Sequence, residues 1–157
     1  MRARKRAADS HTEQQYMIRP THVNHYGRLF GGELMKWIDE VAGIVAMRHS
    51  GSNITTAAID NLQFKAPVMT GDMVVLIGHV TYTGRTSMEV RVDTYKEEFD
   101  GTRHVINRAY LTEVAIDDDG QPIEVPELIV ETEAEQLEYA SALKRCELRK
   151  QRRQEGF

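Results

Sequence analysis

Cysteine is almost absent from this sequence of 157 residues, since Cys146 is the only one. A single cysteine excludes a disulfide within the chain, whereas small secreted proteins usually depend on several. The amino terminus, residues 1–6, is basic, but no apolar segment follows it as one would in a secretory signal. We therefore expect a cytoplasmic protein.

Long apolar runs and an excess of positive charge are also lacking. The longest apolar runs, such as residues 73–78, are far shorter than the roughly 20 residues that cross a bilayer, so membrane insertion is not expected. The chain has 20 Lys and Arg against 24 Asp and Glu, a net charge of −4. Nucleic-acid-binding domains are usually basic, so no nucleic-acid partner is expected. The basic clusters at residues 1–6 and 144–153 are interpreted as solvated, partly frayed termini.

One segment has the periodicity of a long helix. Apolar residues recur there at helical spacing on one broad face. These residues are Leu34, Trp37, Ile38, Val41 and Val45. Gly31 and Gly32 open the segment, and the small turn residues 50–53 end it. The pattern predicts a helix from Gly31 to about His49.

The pattern changes after this helix to that of β-strands. Residues 88–96 alternate between apolar and charged side chains, which is typical of a half-buried strand in an antiparallel sheet. Asp100-Gly101 is a hairpin signal between two such segments. The predicted strands are residues 13–19, 54–64, 73–82, 88–96 and 103–116. We expect the last four to form a meander.

A second helix is predicted over residues 132–153, with acidic residues near its start and basic residues near its end, an order that complements the helix dipole. Strands that run together with a helix at one end indicate the α+β class. The hydrophobic content of 41% and the length suit one globular domain. We expect a flexible polar tail over 1–13, a domain over 14–130, and a C-terminal helix and tail over 131–157.

Two features of the long helix suggest a catalytic site. Asp39 lies on a stripe with the small residues Ala42, Gly43 and Ala46, where a carboxylate is partly desolvated and suited to act as a base; its spacing also fits an ordinary exposed residue. The Gly31-Gly32 pair lies at the helix start, where free N–H groups favour an anion or a developing oxyanion. A plain turn would also explain the two glycines.

The loop before this helix holds further polar residues. Asn24 offers an amide to a ligand or to water, or it holds the loop in an Asx turn. His22 and His25 flank Asn24, but no third ligand accompanies them, so no metal site is expected. Cys146 lies among basic residues of a predicted helix and is interpreted as incidental, and no Ser–His or Cys–His pair is evident.

Residues 24–40 resemble the bacterial acyl-CoA thioesterases of the hotdog fold, in the branch that includes the short acyl-CoA hydrolases and the brain-type tandem enzyme. The matching positions are Asn24, Gly27, Phe30, Gly31, Gly32 and Asp39. Downstream, Phe64, Pro67, Gly71 and Asp72 match a second stretch, and Gly84-Arg85-Thr86-Ser87 match a turn of the family. The resemblance covers about residues 15–125, and its combination of motifs is specific.

The resemblance implies a fold and an assembly. An antiparallel sheet wraps around a long central helix, two such units pair, and the dimers assemble into hexamers with the active sites between paired units. Pairing would also cover the sheet edges that one chain leaves open.

The activity that the resemblance implies is hydrolysis of fatty acyl-CoA to free acid and coenzyme A. Asp39 would act as general base on water, or as a nucleophile by direct attack. The N–H of Gly32, with that of Gly31, would polarise the thioester oxygen. Asn24 would orient the water or the carbonyl. No cofactor is required, since coenzyme A enters only as part of substrate and product.

The turn Gly84, Arg85, Thr86 and Ser87 resembles the family turn that contacts the nucleotide end of coenzyme A. The planar fork of Arg85 suits a phosphate, although a solvated turn residue is an equal interpretation. Two other functions stay open. A hotdog dehydratase or hydratase would need a His paired with a helix carboxylate, and a non-catalytic acyl-CoA-binding protein would not need Asp39.

Overall fold

The computed structural model describes residues 1–157, and a curled antiparallel sheet packs around one long helix in it. The helices are α1 (Gly31–Ser50) and α2 (Glu133–Glu155). The strands are β1 (Arg4–Arg6), β2 (Thr12–Met17), β3 (Asn53–Asp60), β4 (Met73–Thr83), β5 (Ser87–Glu97), β6 (Arg103–Ile116) and β7 (Glu127–Ile129). The α+β class and the hotdog arrangement of helix and sheet are therefore confirmed.

The sheet buries two stripes of α1, the predicted apolar face and the stripe of small residues beside it. The five residues of the predicted apolar face are each 3% exposed or less, and Ala42 and Ala46 are fully buried. The small residues allow close approach to the sheet, because a Cβ at Gly43 would lie 3.6 Å from Ile54 Cδ1. The helix ends at Gly51, whose φ of 71° is left-handed, the conformation that favours glycine.

The five-stranded sheet has the order β2-β4-β5-β6-β3. The predicted meander of four strands is wrong, because only β4, β5 and β6 follow one another across the sheet. The strand β3 ends at Asp60 rather than at Phe64, and the chain then crosses through residues 61–72 from the edge strand β3 to β4, which lies beside the opposite edge strand β2. Asn61 begins that crossing with a φ of 66°. This loop is long enough to pass the two intervening strands, β6 and β5, whereas a hairpin turn can join only neighbouring strands.

The expected polar tail over residues 1–13 is also wrong for most of its length. The strand β1 pairs in parallel with β7, and β2 already begins at Thr12. Ala7 and Ser10 are buried. The segment Arg4–Arg6 has no apolar alternation and gives no strand signal, because its order comes from backbone pairing with a strand more than 120 residues away.

The helix α2 covers the outer face of the sheet through buried ion pairs. Arg145 and Arg149 both contact Glu89, which is 1% exposed, at 2.8 and 3.1 Å. The Arg145 guanidinium also lies 3.7 Å from the centre of the Tyr110 ring. The C-terminal basic cluster is therefore only partly solvated, since two of its arginines pair with a carboxylate of β5. Neither helix is long and apolar enough to cross a membrane.

Candidate active site

Asp39, Thr56 and Glu113 form a hydrogen-bonded group under the middle of α1. The Thr56 hydroxyl on β3 lies 2.7 Å from Asp39 Oδ1. The same hydroxyl lies 2.9 Å from Glu113 Oε2 and 3.2 Å from Glu113 Oε1. Thr56 and Glu113 are direct partners in the register of β3 and β6. Asp39 is therefore a half-buried carboxylate held by the sheet, and the interpretation of it as a free surface residue is wrong.

Glu113 is the functional candidate that the sequence analysis missed. Its side chain is fully buried, and burial raises the pKa of its carboxyl to about 7. The Asp39 charge also raises this pKa, whereas the hydrogen bond from Thr56 lowers it. A signal was present in the sequence, because Glu113 falls between Leu111 and Ala115 at an inward position of a strand, where a carboxylate is unusual.

Of the two glycines at the start of α1, only Gly32 lies too close to a neighbour for a Cβ to fit without a shift, whereas a Cβ at Gly31 would make an ordinary van der Waals contact. A Cβ at Gly32 would lie 2.6 Å from the Phe30 ring, and one at Gly31 would lie 3.4 Å from the Phe64 ring. The first intrahelical donors are the N–H groups of Glu33 and Leu34, which bond to the Phe30 carbonyl. The N–H groups of Gly31 and Gly32 have no backbone acceptor, so both can bind an oxygen or an anion.

Asn24 organises the loop that precedes α1. Its Oδ1 accepts hydrogen bonds from Tyr26 N at 2.9 Å and from Arg28 N at 3.2 Å, which is an Asx turn. The side-chain amide Nδ2 makes no hydrogen bond within the chain and can donate to a ligand. Both expected uses of this side chain, in the loop and toward a ligand, are therefore compatible.

The loop histidines have structural contacts. His22 Nδ1 accepts from Arg19 N at 3.0 Å, and the His22 ring lies edge-on to Trp37. His25 packs against Tyr26. No group of three or more His, Cys, Asp or Glu lies close enough together to hold a metal ion. Neither histidine forms an ion pair with a carboxylate of α1, which is the pair that a hotdog dehydratase would need.

A cavity of about 360 Å³ opens at the amino end of α1. Its lining includes Asn24, Gly31, Leu34, Phe64, Lys65 and Ile106. The cavity brings together two of the predicted site residues, Asn24 and Gly31, beside apolar side chains. Asp39 is not part of its lining, since Asp39 lies seven residues beyond Gly32, about 10 Å along the helix axis.

The turn Gly84–Ser87 is a tight hairpin held by several backbone hydrogen bonds. Gly84 N donates to Ser87 O at 2.9 Å, and the carbonyls of Arg85 and Thr86 accept from the backbone of Val125 and Ala115. A Cβ at Gly84 would lie 2.9 Å from Ser87 Oγ, so a larger residue there would require the Ser87 side chain to move. The Arg85 side chain is exposed and makes no ion pair within the chain, so its guanidinium is available to a phosphate.

A single chain divides the predicted site residues into two groups. Ser87 pairs with Val114, the residue after Glu113 on β6. The turn therefore lies at the same end of β6 as the contact between Glu113 and Thr56. The cavity wall residue Ile106 lies eight residues away from Val114 on the same strand, about 26 Å at the rise of an extended strand. Within one chain, Asp39 and its partners Thr56 and Glu113 therefore lie outside the lining of the cavity at Asn24.

Comparisons with known proteins agree on one family. The sequence profile described as the thioesterase superfamily matches residues 26–100. A Bacillus subtilis protein named as an uncharacterised acyl-CoA thioester hydrolase is 39% identical over 135 residues, which are 85% of this chain and 78% of that protein.

Solved structures are similar over nearly the whole chain. The Staphylococcus aureus acyl-CoA hydrolase, solved with butyryl coenzyme A, coenzyme A and coenzyme A disulfide, has a TM-score of 0.88 and 37% identity, covering 97% of this chain and 93% of that one. An apo hexameric acyl-CoA thioesterase has a TM-score of 0.88 and 38% identity, covering 96% and 97%. The S. aureus enzyme has also been solved with one asparagine, one aspartate or one threonine replaced by alanine.

Proposed function

Because this chain belongs to the thioesterase superfamily, among the acyl-CoA thioester hydrolases, we propose that it hydrolyses the thioester of fatty acyl-CoA to free acid and coenzyme A. The observation that carries the proposal is the Asp39 carboxylate held at 2.7 Å by Thr56. The asparagine, aspartate and threonine replaced in the S. aureus enzyme have the same separations along its sequence as Asn24, Asp39 and Thr56 have here.

Asp39 is the proposed general base. One oxygen, Oδ1, accepts the Thr56 hydrogen bond, and the other has no hydrogen bond within the chain and is left to take a proton from water. A positioned base of this kind contributes about 10²–10⁴-fold to the rate. Direct attack by the carboxylate, giving an anhydride that water then hydrolyses, is the second route open to the same residue.

The free N–H groups at the start of α1 are the proposed oxyanion hole. Those of Gly32 and Gly31 would bind the thioester oxygen as negative charge develops on it, and one such donor is worth roughly 10²–10³ in rate. Asn24, at the mouth of the cavity, would orient the water or the carbonyl through its free Nδ2. The apolar side of the cavity, at Leu34 and Phe64, would receive the acyl chain.

The active site is proposed to form between two subunits. The lining of the cavity with Asn24 and Gly31 does not include Asp39, and a partner subunit would supply the missing half. The open edge of β3 offers a surface for such pairing. We propose a dimer, and a trimer of dimers that would give a hexamer, the state described for one relative. In this assembly the nucleotide end of coenzyme A would be contacted by the turn of Gly84, Arg85, Thr86 and Ser87. The proposed location of the enzyme is the cytoplasm.

Thiol release from a panel of acyl-CoAs, from acetyl to palmitoyl, tests the activity. The expected result is release of coenzyme A with an equal amount of free acid, and the panel gives the preferred chain length. A second assay follows hydration of enoyl-CoA, which a dehydratase or hydratase would catalyse without releasing thiol. If every acyl-CoA binds but none is hydrolysed, the protein is a non-catalytic binder and the proposal is wrong.

A further inference from the structure

The contacts of the Thr56 hydroxyl require one proton more than the hydroxyl itself carries. Its oxygen lies within hydrogen-bond distance of both Asp39 and Glu113, at 2.7 and 2.9 Å. A hydroxyl has one proton to donate, whereas an ionised carboxylate can only accept. If both carboxyls were ionised, one of these two short contacts would join two oxygens with no proton between them.

The surroundings of Glu113 decide which carboxyl holds the additional proton. Glu113 is 0% exposed, whereas Asp39 is half-buried. No other side chain donates a hydrogen bond to Glu113, and no Lys, Arg or His pairs with it. The groups that face it are Asp39 from α1, Thr56 from β3 and the thioether of Met88 from β5. The only charge among them is negative, and ionisation costs more in such a dry site than at Asp39.

We propose that Glu113 carries a proton which it donates to Thr56 Oγ1, and that it is thereby a positioning residue that directs the Thr56 hydroxyl proton onto Asp39. The protons balance: Glu113 O–H donates to Thr56, Thr56 O–H donates to Asp39 Oδ1, and Asp39 stays ionised. The carboxylate that faces the substrate is kept in its basic form because the buried carboxyl takes the proton that the pair shares. The catalytic part of this inference rests on the proposed function, and the proton assignment does not.

Loss of the Glu113 proton changes the direction of the hydrogen bonds. Once both carboxyls are ionised, the Thr56 proton is divided between them and Asp39 is held for only part of the time. Burial raises the pKa of Glu113 to about 7, which places this change near neutral pH. We expect the wild-type kcat to fall by a few fold as pH rises through this range.

Infrared difference spectra of the unliganded protein, taken between about pH 5.5 and about pH 8.5, test the proton assignment. The expected result is one protonated-carboxyl band that titrates near pH 7 and is missing in Glu113→Gln. Asp39→Asn removes the neighbouring charge and should move the midpoint to lower pH. Glu89→Gln is the matched control, because Glu89 is equally buried but paired with arginine, and the band should not change.

Kinetics of the same variants test the positioning role. The amide of Glu113→Gln can donate to Thr56 Oγ1 but cannot ionise, so this variant should keep kcat near pH 6 within about threefold and lose the decline through pH 7. The KM of Glu113→Gln should change little. Thr56→Ser keeps the hydroxyl and should retain the wild-type pH profile of kcat, whereas Thr56→Val should lose it.

The two readouts separate the possible failures. A wild-type spectrum with no protonated carboxyl near pH 6 overturns the proton assignment, even if Glu113→Gln fails to fold. A Glu113→Gln enzyme with the wild-type pH profile overturns the positioning role. A wild type that hydrolyses no acyl-CoA overturns the proposed function, and the spectra still decide where the proton lies.

Discussion

The Thr56 hydroxyl lies 2.7 Å from the Asp39 carboxylate and joins the edge strand β3 to the middle of α1. This contact fixes one carboxylate oxygen and leaves the other for chemistry. The same hydroxyl also contacts the fully buried Glu113, so it bridges two carboxyls that lie on different elements.

Asp39→Asn is expected to lower kcat by at least about 10²-fold, because an amide cannot take a proton from water. Coenzyme A binding, measured by calorimetry, should stay within a few fold of wild type. Glu40→Gln is the matched control, since Glu40 is the exposed neighbour on the same helix. Near-normal turnover in Asp39→Asn would remove this residue from the mechanism.

Arg85→Ala is expected to raise KM more than it lowers kcat, because its contact would be to the non-reacting nucleotide end of coenzyme A. The exposed Lys144, which lies on α2 and makes no ion pair, supplies the control variant Lys144→Ala. Steady-state thiol release for both variants gives the two constants. An effect of Arg85→Ala on kcat alone would argue against the phosphate contact.

Mixing Asn24→Ala with Asp39→Asn tests the shared site. After dissociation and random reassociation, half of the dimers are mixed, and each mixed dimer has one intact site if the two residues come from different subunits. Activity should therefore recover to about one quarter of wild type. Mass spectrometry of the mixture checks that subunits have exchanged. An exchanged mixture as inactive as its parents would show that both residues act within one subunit.

The stability of the protein should depend on pH through Glu113. Its pKa is raised from 4.5 to about 7 in the folded state. A group whose pKa is raised by folding contributes stability that is complete below the unfolded pKa and is lost as pH rises through the folded value. The full shift corresponds to about 3 kcal/mol between about pH 4.5 and pH 7.

Urea unfolding at several pH values gives the free energy of unfolding of the wild type and of Glu113→Gln. The difference between the two free energies at each pH measures the contribution of Glu113. The difference isolates Glu113 from His49 and His79, whose pKa values burial lowers. These histidines affect stability in the opposite sense, because a group whose pKa is lowered by burial in the neutral form makes the folded protein less stable as pH falls. Parallel pH curves for the two proteins would mean that Glu113 is already ionised in the folded state at low pH.

Local pattern by itself determined the main elements of this protein. The spacing of Leu34, Trp37, Val41 and Val45 predicted α1, and the hairpin signal at Asp100-Gly101 preceded the predicted strand over residues 103–116, which has the bounds of β6. Such predictions succeed because the periodicity of apolar side chains records which face of an element is buried. The family resemblance, carried by the motif from Asn24 to Asp39, also came from sequence alone.

Only the tertiary structure decided which residues meet. Thr56 and Glu113 joined the candidate site because strand pairing places them opposite each other, 57 positions apart in sequence. The pairing of β1 with β7 and the position of β3 at the sheet edge were likewise invisible, since backbone hydrogen bonds leave no side-chain pattern. Local sequence records burial, whereas the partners of a buried polar group depend on contacts between distant segments, and those contacts exist only once the chain has folded.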